Sequence, residues 1–251
     1  MHPFLFGFPS YVVFLVLAFS VGYLDALRRA EAAGIERKVV ERTYLAFLFG
    51  ALAGARLFHV AFEDSSYYLS AMSRVLAFWQ GGFSLWGGAI GGLLAATGVA
   101  RWMGAPGRRL LDLYAPSLLL GVALGRVGCF LAGCCFGLPT GMPWGIAFDH
   151  PATFVDFPET PLHPTQLYEA VGALVLSIAV RFVPRERFAA ALVGYAALRF
   201  VVEFYRGDIA RGFVIDDVLS LPQLCAILAL AAALTLAITG VRKAVNTFRT
   251  V

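Results

Sequence analysis

The chain has 251 residues, of which 59% are hydrophobic and 14% charged, with a mean hydropathy of +0.76. Soluble domains carry ~45–50% apolar and ~25% charged residues, so this balance excludes a water-soluble globular protein and describes a chain dissolved in a bilayer. The net charge of +4 falls in short clusters between apolar runs and forms no continuous basic stripe, which excludes a nucleic-acid partner.

Apolar runs long enough to cross ~30 Å of hydrocarbon recur along the chain and predict an all-α integral membrane protein. A single polytopic domain, 1–251, is expected, with about seven spans at 11–27, 44–62, 83–102, 111–131, 168–183, 188–205 and 218–239. The first run has no Lys or Arg before it, and Arg28 and Arg29 follow it. A secretory leader has the reverse order, so this helix is expected to stay. At the third span Gly87/Gly91 and Gly88/Gly92 are each four apart, a spacing that lets helices approach closely. The longest connection, 132–167, has no Lys or Arg and is rich in Gly, Pro and aromatics, among them Trp144, Phe148, Phe154 and Phe157. Such a segment is expected at the interface or folded back into the membrane.

Charge sets the orientation. Arg28, Arg29, Arg37, Lys38 and Arg42 follow span one; Arg101, Arg108 and Arg109 follow span three; Arg181, Arg185 and Arg187 follow span five; Arg242, Lys243 and Arg249 close the chain. The opposite side has Arg74, Arg206 and Arg211 together with most of the loop acids. The positive-inside rule therefore predicts the N-terminus and the 132–167 loop outside and the C-terminus in the cytoplasm.

Three arginines, Arg56, Arg126 and Arg199, fall inside predicted spans, toward their external halves. Each costs ~2.5–3.5 kcal/mol at the bilayer centre and so implies a partner or a watery cavity. Tyr195, Arg199, Glu203 and Arg206 share one helical face; the Arg199–Glu203 pair either neutralises itself or lines a site. Arg56 shares a face with Glu63 and with His59, for which a structural role is expected. Arg126 sits in Gly125-Arg126-Val127-Gly128, whose glycines are expected to bare backbone amides to an anion. His163 and Gln166 open span five beside Pro164, as a helix cap or as part of the site. Cys129, Cys134 and Cys135 read as buried inert thiols, or as a disulfide from Cys129 to one of the others. Their spacing matches no usual zinc motif, so no metal is expected.

These residues resemble a known family. Gly54-Ala-Arg56, Gly81-Gly-Phe-Ser-Leu-Trp-Gly-Gly, Gly125-Arg126-Val-Gly128, His163-Pro-Thr-Gln-Leu-Tyr-Glu169 and Arg199-Phe-Val-Val-Glu203-Phe-Tyr-Arg206, five motifs in order, are similar to those of the bacterial prolipoprotein diacylglyceryl transferases. The resemblance implies a multi-pass enzyme of the bacterial inner membrane, without cofactor, among membrane lipids. It would move the diacylglyceryl group of phosphatidylglycerol to the thiol of a prolipoprotein lipobox cysteine, leaving a thioether and glycerol phosphate. Arg126 and Arg199 resemble the family's functional arginines, and Glu203, Arg206, Tyr11 and Tyr195 match positions in its cavity. The chain departs at Trp86, where the family has a histidine, at Cys129 in place of asparagine, and at Cys134 in place of an acid.

The expected catalytic residues are therefore Arg126, Arg199 and Glu203, with His163 assisting proton removal. Substrate contacts are expected from Tyr11, Arg56, Trp86, Gly128, Cys129, Gln166, Tyr195 and Arg206. A relative acting on another acceptor, or a lipid-binding or transport protein whose buried charges line a pathway, is the alternative. Symmetric halves with broken helices would favour transport; the sequence has Gly-broken segments but no such symmetry.

Overall fold

The computed structural model describes residues 2–63, 65–77, 82–150, 159–207, 213–215, 219–220 and, of 223–235, all but 225, 232 and 234. In chain order the elements are strands β1 (Phe4–Leu5) and β2 (Phe8–Pro9), then helices α1 (Ser10–Ala32), α2 (Arg37–Phe58), α3 (Ser65–Leu69), α4 (Leu85–Trp102), α5 (Gly107–Ala132), α6 (Thr165–Ala179) and α7 (Arg187–Glu203), then strands β3 (Phe213–Ile215) and β4 (Leu219–Ser220). A π-helical turn, His59–Glu63, continues α2.

Among the described residues four helical stretches, Ser10–Ala32, Arg37–Phe62, Gly107–Ala132 and Thr165–Phe182, are long and apolar enough to cross a membrane. Burial supports a bilayer as the solvent. Large apolar side chains such as Phe49, Leu94 and Val171 are exposed, whereas Arg56, Gln166, Glu169 and Glu203 are buried. Water would favour the opposite arrangement; lipid favours this one, because polar groups there must find partners inside the protein.

A helix lies in each of the first six predicted spans, although α4 starts two residues after its predicted limit and α7 ends two before, and several helices extend past the apolar runs into polar turns. The seventh prediction needs a correction at its start. Leu219–Ser220 pairs antiparallel with Phe213–Ile215, and the described helical residues begin at Gln223. Most of the remainder of that span lies outside the described residues.

The chain forms two compact units, one of Met1–Asp25 with Leu111–Val251 and one of Ala26–Leu110. In the second unit α2 packs on α4 through facing glycines. A Cβ on Gly54 would collide with the carbonyl oxygen of Gly87, and one on Gly91 with that of Gly50. Two small-xxx-small stripes thus bring the helix backbones into contact.

In the first unit α5, α6 and α7 surround a core of Ala115, Leu119, Val180 and Ala191. Polar bonds fix their register: Ser177 Oγ donates to the Pro116 carbonyl at 2.7 Å, and the Phe188 amide at the start of α7 donates to Asp112 Oδ1 at 2.9 Å. Asp25 of α1 accepts from Ser117 Oγ at 2.8 Å and pairs with Arg181 at 3.0 Å. Described parts of the long loop pack on this unit. Pro139 and Ile146 both pair with Leu162, and fully buried Phe148 packs its ring against those of Phe130 and Phe136. Phe154 and Phe157 lie outside the described residues.

Candidate functional site

One end of the first unit gathers the start of α1, the last turns of α5, the first turns of α6 and the second half of α7. Its centre is Glu169, 2% exposed, which faces Arg126 Nε at 2.9 Å and accepts from Tyr195 Oη at 2.6 Å. A buried carboxylate is tolerated only when paired and hydrogen-bonded, and here both oxygens are engaged. The Arg126 contact is made by Nε, and its side chain is 20% exposed. One turn along α7 from Tyr195, Arg199 pairs with Glu203 at 2.7 Å, with Glu203 2% exposed. Tyr195 feels the charges of Glu169, Arg126 and Arg199 together. Arg126, Glu169, Tyr195, Arg199 and Glu203 thus form one continuous electrostatic chain.

Tyr11 opens α1, and Arg126 and the thiols of Cys129, Cys134 and Cys135 are its electrostatic neighbours. Buried Arg206 is bridged through its backbone to Gly137. Gln166, 1% exposed, donates from Nε2 to the Cys134 carbonyl at 2.7 Å, and Thr165 Oγ1 donates to that of Cys135 at 2.8 Å. These two bonds tie the loop after α5 to the first turn of α6. His163 Nδ1 lies 2.9 Å from Tyr168 Oη, which also accepts from Trp144 Nε1 at 2.8 Å. The imidazole is further enclosed by the Tyr205 ring at 5.3 Å.

The sulfur atoms of Cys129, Cys134 and Cys135 lie within 4.8 Å of one another, and all three cysteines are free. Among the described residues this is the group with the donor atoms to hold a metal ion. Hydrogen bonds from the Cys129 and Cys134 thiols, with Arg126 and Arg206 nearby, push the Cys135 thiol down. Hydrogen bonds with the Cys129 and Cys135 thiols, and burial, push the Cys134 thiol up.

Several expectations need correcting. Gly125 and Gly128 lie inside α5, where backbone amides are committed to the helix, so they bare none to an anion. Gly128 is a packing residue, because a Cβ there would lie 2.7 Å from Phe14 Cβ and 3.3 Å from Tyr11 Cα. Arg56 belongs to the second unit and spends its donors on backbone: Nε on the Val75 carbonyl at 3.0 Å, Nη1 on Gly82 at 3.0 Å, and Nη2 on Arg74 and Ala77 at 2.6 and 3.2 Å. With the Tyr68 and Phe83 rings also against its guanidinium, its visible role is to hold that segment onto α2. Trp86 lies in the first turn of α4, and its side chain is outside the described residues. Glu169 was not among the expected site residues. The signal was present, since an acid two turns or less into an apolar helix requires a buried partner.

The sequence model of the prolipoprotein diacylglyceryl transferase family matches residues 4–239. The chain is 34% identical over 231 residues to a phosphatidylglycerol–prolipoprotein diacylglyceryl transferase of Geobacter sulfurreducens, covering 86% of each chain. It is 36% identical over 206 residues to the one of an Azoarcus species, with 78% of this chain and 74% of the relative covered. It is 32% identical over 229 residues to that of Bordetella avium, covering 85% of each. Matched over nearly its whole length by the family's sequence model and by these relatives, the chain belongs to the prolipoprotein diacylglyceryl transferase family.

Proposed function

We infer that this membrane transferase takes its diacylglyceryl group from phosphatidylglycerol and passes it to the thiol of a prolipoprotein lipobox cysteine. The observation that carries the reading is the buried Arg126–Glu169–Tyr195 contact set, with the Arg199–Glu203 pair one turn further along α7, in a protein of this family. In the reaction a thiolate attacks the glyceryl methylene carbon, the carbon–oxygen bond to phosphate breaks, and glycerol phosphate leaves with the electron pair. Negative charge builds on the phosphate, and preorganised cations aimed at it lower the barrier.

Arg126 binds the phosphate through its terminal amino groups, held in place by Glu169. Arg199 is the second cation, oriented by Glu203. Tyr195 positions Glu169, while Tyr11, Cys129, Gln166 and Arg206 border the space where lipid and peptide meet. The gene expressed in a bacterium whose own transferase can be depleted should restore lipoprotein modification and growth; accumulation of unmodified prolipoprotein with this protein abundant in the membrane would contradict the reading.

The same reading sets the protein in the bacterial inner membrane as one polytopic domain of seven spans, with the N-terminus and the 132–167 loop outside. The support is the Lys/Arg asymmetry of the loops. A C-terminal alkaline phosphatase fusion should be inactive and a C-terminal fluorescent protein bright; the opposite pair of results reverses the orientation.

His163 assists removal of the thiol proton. The tautomer with its Nδ1–H donated to Tyr168 leaves Nε2 as the acceptor. A cysteine thiol has a pKa of ~8.5, so only a few per cent is thiolate near neutrality. His163→Gln should therefore slow transfer by ~10²-fold near neutral pH and progressively less as the pH rises through the thiol pKa. An equal loss at every pH would make His163 a helix-positioning residue.

A further inference from the structure

We propose that Cys129, Cys134 and Cys135 form a three-thiolate zinc site whose fourth position takes the thiol of the acceptor cysteine. The metal site stands on the chain's own geometry; its role in transfer rests on the function proposed above.

Four zinc-bound donors at ~2.3 Å in a tetrahedron put sulfur atoms ~3.8 Å apart. The three sulfurs here lie within 4.8 Å of one another, so small side-chain rotations bring them onto one ion. Their supports are rigid. Cys129 is buried in the last turn of α5, and the Cys134 amide is bonded to its carbonyl at 3.1 Å. The carbonyls of Cys134 and Cys135 are held by Gln166 and Thr165, each 1% exposed.

Cys135 has φ of +62°, a left-handed conformation that glycine or asparagine adopts with less strain. A cysteine held there directs a third thiol to the group. A disulfide would use two sulfurs and leave the third without a purpose; a metal ion uses all three.

Among the described residues no fourth His, Cys, Asp or Glu joins the group. Three protein ligands with one open position is the pattern of a zinc site that does chemistry, in contrast to the closed four-ligand structural site. Three thiolates and one zinc ion carry a net single negative charge, and Arg126 and Arg206, both electrostatic neighbours of Cys135, offset it.

A thiol that enters the open position is acidified by the metal, and its proton passes to His163, the acceptor of the function proposed above. The bound thiolate gives an electron pair to the glyceryl methylene carbon as the carbon–oxygen bond breaks, and glycerol phosphate departs with that bond's electrons. The product is a neutral thioether, a weak zinc ligand, which leaves and reopens the site. No oxidant or reductant is needed, and the ion returns unchanged.

The test uses the full chain, purified in detergent, reduced, loaded with zinc or cobalt(II) and desalted. The expected result is about one metal ion per chain and, with cobalt, a thiolate-to-metal charge-transfer band in the near ultraviolet. Cys129→Ser and the Cys134→Ser/Cys135→Ser pair should lose both, with folding checked by circular dichroism. A lipobox peptide should intensify the band as a fourth thiolate binds, and the same peptide with serine for cysteine should not. The cobalt spectrum of the unaltered chain stands independently of whether the variants fold.

Absence of the charge-transfer band in the reduced protein, metal binding undiminished in folded cysteine variants, or a disulfide that resists reduction would each overturn the site. Stripping the metal should slow transfer by roughly 100-fold, the scale of a lost general base, and zinc should restore it. Full transfer by metal-free protein would overturn the catalytic role. A cobalt band that responds to the peptide, with no thioether formed under any metal loading, would leave the site standing and reject the function.

Discussion

Arg126→Lys should lower transfer about 100- to 1,000-fold, the scale of removing one preorganised contact worth ~2.7–4 kcal/mol from a charge-stabilising site, while the protein remains in the membrane at its usual level. Lysine keeps the charge, so a loss of this size comes from geometry. The guanidinium engages Glu169 through Nε at 2.9 Å, and a planar guanidinium has further donors in its plane with which to meet phosphate oxygens. An ammonium has its three donors on one nitrogen at the end of a flexible stem and cannot reproduce the planar, bidentate geometry. The measurement is the steady-state rate of peptide modification in lipid nanodiscs, with bound phosphatidylglycerol counted separately. Unchanged turnover would make the arginine a structural partner of Glu169 and nothing more.

Glu169 gives the second large effect. Glu169→Ala leaves the Arg126 charge and the Tyr195 hydroxyl without their shared acceptor, and breaking a buried ion pair in this way costs ~3–5 kcal/mol. A fall in the detergent unfolding midpoint is expected, together with loss of activity. Glu169→Gln separates the two consequences. The amide still accepts from Tyr195, whose hydroxyl donates to Oε1 at 2.6 Å, so most of the stability should survive. It no longer holds Arg126 as an ion pair, so kcat should fall by at least ~10-fold with a smaller change in KM, as expected when positioning for the transition state is lost. A glutamine variant as active as the unaltered chain would show that Glu169 serves folding alone.

The Arg199–Glu203 pair was legible because both partners sit on one helix four residues apart, a relation that helical geometry fixes in advance. The Arg126–Glu169 pair was half legible: each residue is too costly to face lipid, but nothing in one sequence says that α5 and α6 bring them together. Arg56 misled for a related reason. Its acceptors are carbonyls of Arg74, Val75, Ala77 and Gly82, and backbone oxygens leave no trace in residue type.

Gly128 misled in another way. Glycine flanking an arginine suits anion binding, yet inside a helix its amide is already used and its missing Cβ makes room for Phe14. The cysteines show the limit of linear motifs. Their spacing resembles no standard metal site, but Cys135 in its left-handed conformation, with Gln166 and Thr165 holding the loop, converges three sulfurs that sequence lists only as neighbours.

On the proposed function, Arg126 and Arg199 drive departure of glycerol phosphate as a thioether forms, which ties the two products to one step. The most direct measurement counts both products from one reaction: purified protein in phosphatidylglycerol nanodiscs with a lipobox peptide, the peptide analysed by mass and glycerol phosphate assayed in the same sample. The unaltered chain should add one diacylglyceryl group per modified peptide with an equal amount of glycerol phosphate, and Arg126→Ala should abolish both in step. Glycerol phosphate released without thioether, or equal thioether yields from the unaltered chain and Arg126→Ala, would contradict it.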